Sequence, residues 1–288
     1  MRIQPLTGVL GAEITDVDLA RELTKTAIDD VVGALTAALD EHLVVVIRDQ
    51  DLSPQEQTAL THMFGPPCET PFVSTMRDAP EVIRVVKEAD EVHAFNFGGA
   101  WHSDFSFLER PPSYTLLHAI DVPAYGGDTV WTSNIAALDR LGPHLRAPID
   151  KPDGKGVHTA KDAYSPKMQT LHDGLKSMDI RTTEDANEAR THPIITTHPG
   201  NRHQVLFFNF AYCRDLADVE VEPERVPAFL LSLHRHTTDH AFTVRHRWRN
   251  GDLAIWDNRA TQHFALNDYG GFRRELHRTT VQGGVPAR

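Results

Sequence analysis

The chain has 288 residues, 40% of them hydrophobic, and its 40 acidic and 29 basic residues give a net charge of −11. An acidic balance disfavours nucleic-acid binding, which depends on clustered Lys and Arg at the phosphate backbone. The two cysteines, Cys68 and Cys213, form no CxxC pair, which argues against both a disulfide scaffold and a cysteine-ligated zinc site.

The distribution of apolar residues predicts a cytoplasmic protein. Residues 1–16 contain no apolar run of signal-peptide length, and no stretch reaches the roughly 18 apolar residues of a membrane helix. No repeat or linker divides the chain, so we predict a single domain over residues 1–288. We therefore expect no nucleic-acid or membrane partner, while a homo-oligomer remains possible.

The first predicted elements are a helix, a strand and a second helix. Apolar residues recur at helical spacing from Glu22 to Glu41, and the β-branched run Leu43 to Ile47 is typical of a buried strand. The sequence Ser53-Pro54-Gln55-Glu56 supplies an N-cap, a first-turn proline and a glutamate at the third helical position. With Gly65 as its stop, the second helix is predicted over residues 54–64.

After this start the sequence changes to short β-rich runs separated by turn residues, which favours a β-barrel or sandwich with flanking helices. Helices are predicted at Ser133 to Leu141 and Glu222 to Thr237. The predicted strands are Val82 to Val86, Trp101 to Phe107, Tyr114 to Ile120, Thr129 to Trp131, Ile194 to Thr197, Val205 to Phe208, Phe242 to Arg247, Leu253 to Trp256 and Arg274 to Val281.

One long segment, residues 157–190, is polar, mixed in charge and poor in strand-forming residues. Segments of this length inside a compact domain are usually functional, and many are lids over a site. We therefore predict a lid at residues 157–190.

Within Trp101 to Phe107, His102 and Asp104 stand two residues apart. If this run is a strand, both side chains point to one face and can converge on one ion. The pair alone is a weak signal, because 17 His and 40 acidic residues give roughly two His-x-Asp/Glu pairs by chance. An aspartate that lies beside a core histidine without a metal is the alternative.

His263 could supply a third ligand, because it follows the apolar run Leu253 to Trp256 and a polar turn. Two imidazoles and one carboxylate on one face of a metal are the ligand set of non-haem Fe(II) oxygenases. Zinc accepts the same atoms, and a buried core histidine is the alternative for His263.

Two arginines mark the predicted strand from Arg274 to Val281. Arg274 and Arg278 share one face, about 13 Å apart along the strand. Buried guanidinium groups are costly unless anions meet them, and each can bind a carboxylate through two hydrogen bonds. A solvated edge strand is the alternative. The turn Gly126-Gly127-Asp128 leads into Thr129, whose hydroxyl could donate to a carboxylate that Arg274 also holds.

With these motifs in this order, the sequence resembles the taurine dioxygenase-like (TauD/TfdA) family of Fe(II)/2-oxoglutarate-dependent dioxygenases. The similarity covers nearly the whole chain. It includes Gly8 to Leu19, Val44 to Asp51, Phe64-Gly65, Trp101 to Phe107, Gly126 to Trp131, Asp252 to His263 and Arg273 to Thr280.

The resemblance implies a double-stranded β-helix (jelly roll) with flanking helices. It also implies that Fe(II) is bound by His102, Asp104 and His263, and that Thr129 and Arg274 hold the distal carboxylate of 2-oxoglutarate. The implied enzyme uses 2-oxoglutarate and O2 as cosubstrates, releases succinate and CO2, and hydroxylates a small organic molecule.

The substrate implied by the resemblance is a small, anionic molecule, and Arg278 is assigned to that anion or to pocket structure through an internal carboxylate. Taurine itself is doubtful, because Thr70 and Val73 stand where taurine dioxygenase has substrate-binding His and Tyr residues. A zinc hydrolase with the same triad would leave Thr129 and Arg274 without a role. A non-catalytic metal- or acid-binding jelly roll is the other alternative.

Overall fold

The computed structural model describes residues 1–24, 28–69, 71–91, 96–151, 157–160 and 164–288. Within these ranges the helices are α1 (Leu19–Glu22), α2 (Ile28–His42), α3 (Pro54–Phe64), α4 (Asn134–Asp139), α5 (Pro143–Arg146), α6 (Gln169–His172) and α7 (Val226–Thr237). The strands are β1 (Arg2–Pro5), β2 (Ala12–Thr15), β3 (Val44–Ile47), β4 (Ile83–Lys87), β5 (Tyr114–Asp121), β6 (Thr129–Ser133), β7 (Val157–Ala160), β8 (Arg190–Pro193), β9 (Ile195–Thr197), β10 (Gln204–Leu206), β11 (Cys213–Ala217), β12 (Thr243–His246), β13 (Leu253–Asp257), β14 (Thr261–Ala265) and β15 (Arg274–Val281).

Two sheets pack face to face at the centre of the molecule. The larger sheet has the strand order β1-β2-β3-β13-β5-β15-β4, and the smaller has the order β12-β6-β14. Their inner faces share one apolar cluster, in which Val46 and Trp256 of the larger sheet meet Trp131 and Val244 of the smaller sheet. The predicted mainly β fold with flanking helices is confirmed, and two packed sheets are the architecture expected of a jelly roll.

The outer face of the larger sheet is covered by α2 and α3. Because successive strand residues alternate between faces, Val45 and Ile47 point away from the inner cluster. They pack instead with Leu35 and Leu39 of α2 and with Leu60 of α3. The larger sheet is therefore apolar on both faces, which explains why β3 is a continuous Val/Ile run.

The helix predicted over residues 54–64 has those bounds in the structure. The Ser53 hydroxyl accepts from the backbone N–H of Glu56 at 3.2 Å, and the Glu56 carboxylate accepts from the backbone N–H of Ser53 at 2.8 Å. Gly65 follows with φ of 146°, a conformation that favours glycine. Both helix ends are thus set by local chemistry.

The strand predicted from Trp101 to Phe107 is wrong. Only His102 joins a strand, through an isolated antiparallel bridge to His263. The chain then turns, since the backbone N–H of Ser106 donates to the carbonyl of Ser103 and Phe105 has φ of 44°. Asp104 therefore lies in a turn, and the alternation of a strand does not explain its orientation.

The predicted lid, residues 157–190, falls partly outside the described residues, which omit 161–163. Its described part begins with β7, which pairs with β8 and β11, so the segment contributes a strand that its composition did not predict. Leu175, Met178 and Ile180 pack into an apolar cluster with Phe72 and Phe105. No helix in the described ranges is long and apolar enough to cross a membrane.

Candidate metal centre and adjoining pocket

His102 and His263 are brought together by backbone hydrogen bonds. Each donates its N–H to the carbonyl of the other, at 3.1 and 2.8 Å, and the ring centres lie 4.2 Å apart. His263 lies on β14, within the smaller sheet. Since the two residues form one rung of an antiparallel pair, their side chains leave the backbone on the same side.

Asp104 completes the group from the turn that follows His102. Its Oδ1 lies 3.6 Å from Nε2 of His102 and 3.9 Å from Nε2 of His263. The potential ligand atoms of the three residues all lie within 4.8 Å of one another, and all three residues are buried. The structure thus places the three predicted ligand positions around one point.

Hydrogen bonds fix how the side chains of His102 and Asp104 face that point. Nδ1 of His102 lies 2.7 Å from the carbonyl oxygen of Ala100, which can only accept, so Nδ1 carries the hydrogen and Nε2 presents its lone pair. The Thr115 hydroxyl donates to Oδ2 of Asp104 at 2.7 Å. Asn258 in turn donates from its side-chain amide to the Thr115 hydroxyl and accepts from the backbone N–H of Asp104.

The protonation states also suit a cation. Burial and the neighbouring His102 lower the pKa of His263 to about 3, so its imidazole is neutral at neutral pH. Burial opposes ionisation of Asp104, but the Arg278 guanidinium outweighs it and holds the pKa of that carboxyl below its usual range. The group therefore offers the Asp104 carboxylate and the neutral imidazole of His263 beside the His102 ring, and this set of donors fits a divalent metal ion.

Arg278 contacts the carboxylate of Asp104. Its Nη1 donates to Oδ1 of Asp104 at 3.2 Å, and its guanidinium carbon lies 5.0 and 5.4 Å from the ring centres of Phe105 and Phe97. Among the described residues, its buried Nε and Nη2 have no hydrogen-bond partner. One edge of this guanidinium thus has no partner among the described residues.

Thr129 and Arg274 mark a second polar position. Trp248 joins them, because its indole N–H donates to the Thr129 hydroxyl at 2.9 Å and its ring centre lies 5.9 Å from the guanidinium carbon of Arg274. Since Thr129 accepts this bond, its own hydroxyl hydrogen is available to an anion. Burial lowers the pKa of Arg274, and in the described part of the chain no carboxylate forms an ion pair with it. A buried cation without such a partner is suited to an anionic ligand.

Gly127 lets the chain pass close to Arg274. A Cβ at this position would lie 3.1 Å from Cδ of Arg274 and 3.1 Å from the Tyr269 ring, and the residue has φ of 67°. The Gly126-Gly127 pair, interpreted from sequence as a turn, therefore also leaves room for the Arg274 side chain.

A cavity of about 200 Å³ opens beside His102 and Asp104. Its wall is mainly apolar, and Met168 and Leu171 contribute to it from the segment predicted to be a lid. Two tyrosines, Tyr164 and Tyr212, also line it. A pocket with few polar groups next to a metal-binding group is the usual form of a small-molecule site.

Sequence reasoning missed Thr115, Trp248 and the two tyrosines of the cavity. Thr115 is read as a strand residue and Trp248 as part of a loop, and neither stands near a site motif in the chain. Only Tyr164 carried a signal, because it lies inside the predicted lid. Their roles depend on long-range packing, for which a single sequence gives no pattern.

The family model for "Taurine catabolism dioxygenase TauD, TfdA family" matches residues 2–280. The alpha-ketoglutarate-dependent sulfate ester dioxygenase of Pseudomonas putida is 31% identical, over 99% of this chain and 90% of that protein. The alpha-ketoglutarate-dependent 2,4-dichlorophenoxyacetate dioxygenase of Cupriavidus pinatubonensis is 29% identical, over 96% of both. A crystal structure of AAD-2 with Mn(II) and N-oxalylglycine superposes with a TM-score of 0.76, at 25% identity, over 100% of both chains.

Proposed function

The chain belongs to the taurine catabolism dioxygenase TauD, TfdA family, and on that premise we propose that His102, Asp104 and His263 bind the Fe(II) of a 2-oxoglutarate-dependent dioxygenase. The observation that carries the proposal is the convergence of these three buried side chains, two of which, His102 and Asp104, are oriented by hydrogen bonds. A facial set of two His and one carboxylate leaves further coordination positions open.

Bound Fe(II) would supply those positions to the keto acid and to O2, together with the redox chemistry that yields succinate, CO2 and a hydroxylated product. The other protein residues hold the proposed metal ligands in position. The Ala100 carbonyl holds the His102 ring, and Thr115 holds the Asp104 carboxylate. The apolar wall of the cavity excludes water from the reacting groups.

Arg274 and Thr129 hold the distal carboxylate of 2-oxoglutarate in this proposal. Arg274 supplies a buried cation, and Thr129 supplies a hydroxyl whose hydrogen is free because Trp248 donates to its oxygen. Support comes from AAD-2, whose structure contains N-oxalylglycine, a dicarboxylate in which nitrogen replaces one methylene of 2-oxoglutarate.

The primary substrate is a small organic anion, and Arg278 binds its charge. The unpartnered edge of the Arg278 guanidinium supports this role, as do relatives that act on sulfate esters and on an aryloxy acid. Arg278 also contacts Asp104, so the substrate anion would lie next to the metal. The alternative assignment, to an internal carboxylate alone, leaves Nε and Nη2 without a function.

The segment 157–190 acts as a lid in this proposal, since Tyr164, Met168 and Leu171 line the cavity. Hydrogen exchange at residues 164–190 should slow when 2-oxoglutarate and substrate bind. Equal exchange in free and bound protein would contradict a lid.

Succinate formation tests the proposal directly. Purified protein with Fe(II), 2-oxoglutarate and O2 should release succinate, and an organic anion should increase the rate. Anaerobic Fe(II) and 2-oxoglutarate together should give a weak charge-transfer absorption band. Hydrolysis of a test ester without O2 or 2-oxoglutarate would instead favour the zinc hydrolase, and metal binding without either reaction would favour the non-catalytic jelly roll.

A further inference from the structure

One buried lysine has no role in the function proposed so far. Lys87 ends β4 and is only 8% exposed, although lysine is rarely buried without a partner. No carboxylate in the described part of the chain forms an ion pair with it, whereas Lys151 pairs with Glu220. Its ammonium lies over the Tyr269 ring, 4.4 Å from the ring centre. An aromatic face offsets only part of the cost of burying a cation, so the charge of Lys87 is largely uncompensated.

Lys87 lies directly opposite Arg274. The two residues are partners in the antiparallel pairing of β4 and β15, and such partners place their side chains on the same face of the sheet. That face is the inner one, because the pair two residues along, Val85 and Leu276, packs in the apolar cluster between the two sheets. Lys87 and Arg274 therefore form a cross-strand pair of cations inside the molecule.

The ring of Tyr269 contacts both cations. The guanidinium carbon of Arg274 lies 5.9 Å from the ring centre that the Lys87 ammonium covers. Burial raises the pKa of Tyr269 and outweighs the opposite influence of Arg274, so the phenol is neutral. The ring thus supports the two cations without cancelling either charge.

The carboxylates that act on this group are bonded elsewhere. Asp128 influences the charge of Arg274, but its Oδ2 accepts from Nε of Arg245 at 2.6 Å. Glu91 influences Tyr269, but its Oε1 accepts from the Ser177 hydroxyl. Neither carboxylate forms an ion pair with the two cations in the ranges that the structure describes.

The arrangement is unfavourable when no anion is bound. Like charges directly opposite each other on a sheet repel, and the repulsion is stronger where water is excluded. An anion beside the pair turns this repulsion into attraction. The proposed function already places an anion there, since it assigns the distal carboxylate of 2-oxoglutarate to Arg274 and Thr129.

We propose that Lys87 is a positioning residue for the cosubstrate, whose charge, held beside Arg274 by the Tyr269 ring, adds to the attraction for the distal carboxylate of 2-oxoglutarate. The same charge destabilises the ligand-free protein, because it faces Arg274. Lys87 therefore exchanges stability of the empty site for affinity. This inference rests on the proposed function of the same site.

The test removes the charge of Lys87 with little change in side-chain length. Lys87→Met and Lys87→Gln are compared with the wild type, and Lys151→Met is the matched control, because Lys151 already has a carboxylate partner. Melting temperatures are measured without 2-oxoglutarate. The affinity for 2-oxoglutarate is measured by titrating the anaerobic absorption band with Fe(II), so neither measurement depends on turnover.

We expect two effects of opposite sign. Without 2-oxoglutarate, Lys87→Met should melt about 2–4 °C above the wild type, because the repulsion is gone. The same variant should bind 2-oxoglutarate about tenfold more weakly, because one attractive charge is lost. A merely structural role of Lys87 on the Tyr269 ring would instead lower the melting temperature.

A second background isolates the repulsion. Lys87→Met should not raise the melting temperature of Arg274→Met, because the opposing charge is already absent there. Lys87→Gln should follow Lys87→Met, and Lys151→Met should match the wild type in melting temperature and in affinity.

Three results would overturn the inference: an unchanged 2-oxoglutarate affinity in Lys87→Met, a lower melting temperature or a failure to fold in both neutral variants of Lys87, or a stabilisation that persists in the Arg274→Met background. In each case an intact absorption band in the wild type would leave the proposed function standing. Absence of that band in the wild type would reject the proposed function and this inference together.

Discussion

Two clusters in the described part of the chain bring His and Asp side chains to metal-binding distance. One is His102, Asp104 and His263, and the other is Asp40, His198 and Asp257. In each cluster the potential ligand atoms lie within 4.8 Å of one another. Proximity and residue type therefore do not distinguish them.

The two clusters differ in the hydrogen bonds that the ring nitrogens of His102 and His198 form. Nδ1 of His198 accepts from the backbone N–H of Asn201 at 3.1 Å, so the ring hydrogen is on Nε2, which donates to Asp257 at 2.9 Å. Asp257 is also bound by Arg259, through Nε at 2.8 Å and through Nη2. Both nitrogens of His198 are thus used, while Nε2 of His102 keeps its lone pair. The hydrogen-bond partner of a histidine, more than its distance to carboxylates, decides whether it can bind a metal.

The largest expected effect comes from removing one histidine from each cluster. His102→Ala should abolish the anaerobic absorption band of the Fe(II) and 2-oxoglutarate complex and all substrate-dependent succinate release. His198→Ala should keep both in the protein that remains folded. The band is measured by titrating Fe(II) into each variant with 2-oxoglutarate. A band lost in His198→Ala and kept in His102→Ala would reverse the assignment of the two clusters.

The second cluster should contribute to stability instead. Asp257→Asn removes the charge that pairs with Arg259 and that accepts a hydrogen bond from His198, and breaking a buried pair costs about 3–5 kcal/mol. Urea unfolding of the metal-free protein should show this loss. The absorption band per mole of folded protein should equal that of the wild type. Unchanged stability with a weakened band would show that Asp257 serves the metal.

Arg259, beside the second cluster, and Arg274, on β15, differ in whether a carboxylate neutralises them. Arg259 is neutralised by Asp257, whereas Arg274 forms no ion pair with a described residue. Arg274→Ala should weaken 2-oxoglutarate binding by about 2–5 kcal/mol, since the distal carboxylate loses its cation.

Arg278→Ala serves as the reciprocal variant, because it should raise the substrate KM and change 2-oxoglutarate affinity much less. Steady-state kinetics for both ligands and melting curves separate binding from folding. A 2-oxoglutarate defect of equal size in the two variants would contradict this division of roles.

The smallest expected effect tests whether orientation of Asp104 matters. Thr115→Val keeps the side-chain shape and removes the hydrogen bond to Oδ2 of Asp104. Fe(II) affinity should fall about 10- to 100-fold, as for other partners of metal ligands. Thr132→Val is the control, because it removes a buried hydroxyl that donates to the Thr237 carbonyl, on the smaller sheet. Equal affinities in the two variants would mean that the Thr115 bond is not needed.

The parts of the fold that local chemistry determines were predictable from sequence. The capping box at Ser53 and the stop at Gly65 gave both ends of α3. The β-branched run of β3 was predicted one residue too long, because Leu43 has φ of 64° and cannot extend the strand. The first two strands, β1 and β2, have only four residues each and were not predicted, although β2 alternates between buried apolar and partly exposed polar residues.

The candidate site was predictable where residues follow one another in a motif. His102, Asp104 and His263 lie together as expected, but the reason differs, because Asp104 reaches the group from a turn. Trp248 and Tyr212 come to the site from strand ends and loops that the sequence does not link to it. Trp248 is fixed by packing between the two sheets and Tyr212 by packing with Phe107, and a pattern along one chain does not encode such long-range contacts.

The backbone bridge between His102 and His263 also constrains the order in which the protein matures. Roughly 160 residues of chain separate the two ends of this single rung, so its formation closes a very long loop. Contacts of this sequence separation form slowly and need the smaller sheet to be assembled first. An unfolded or truncated chain therefore has no preformed group of these three side chains, and metal binding at the proposed site would be a late step that only completely folded molecules reach.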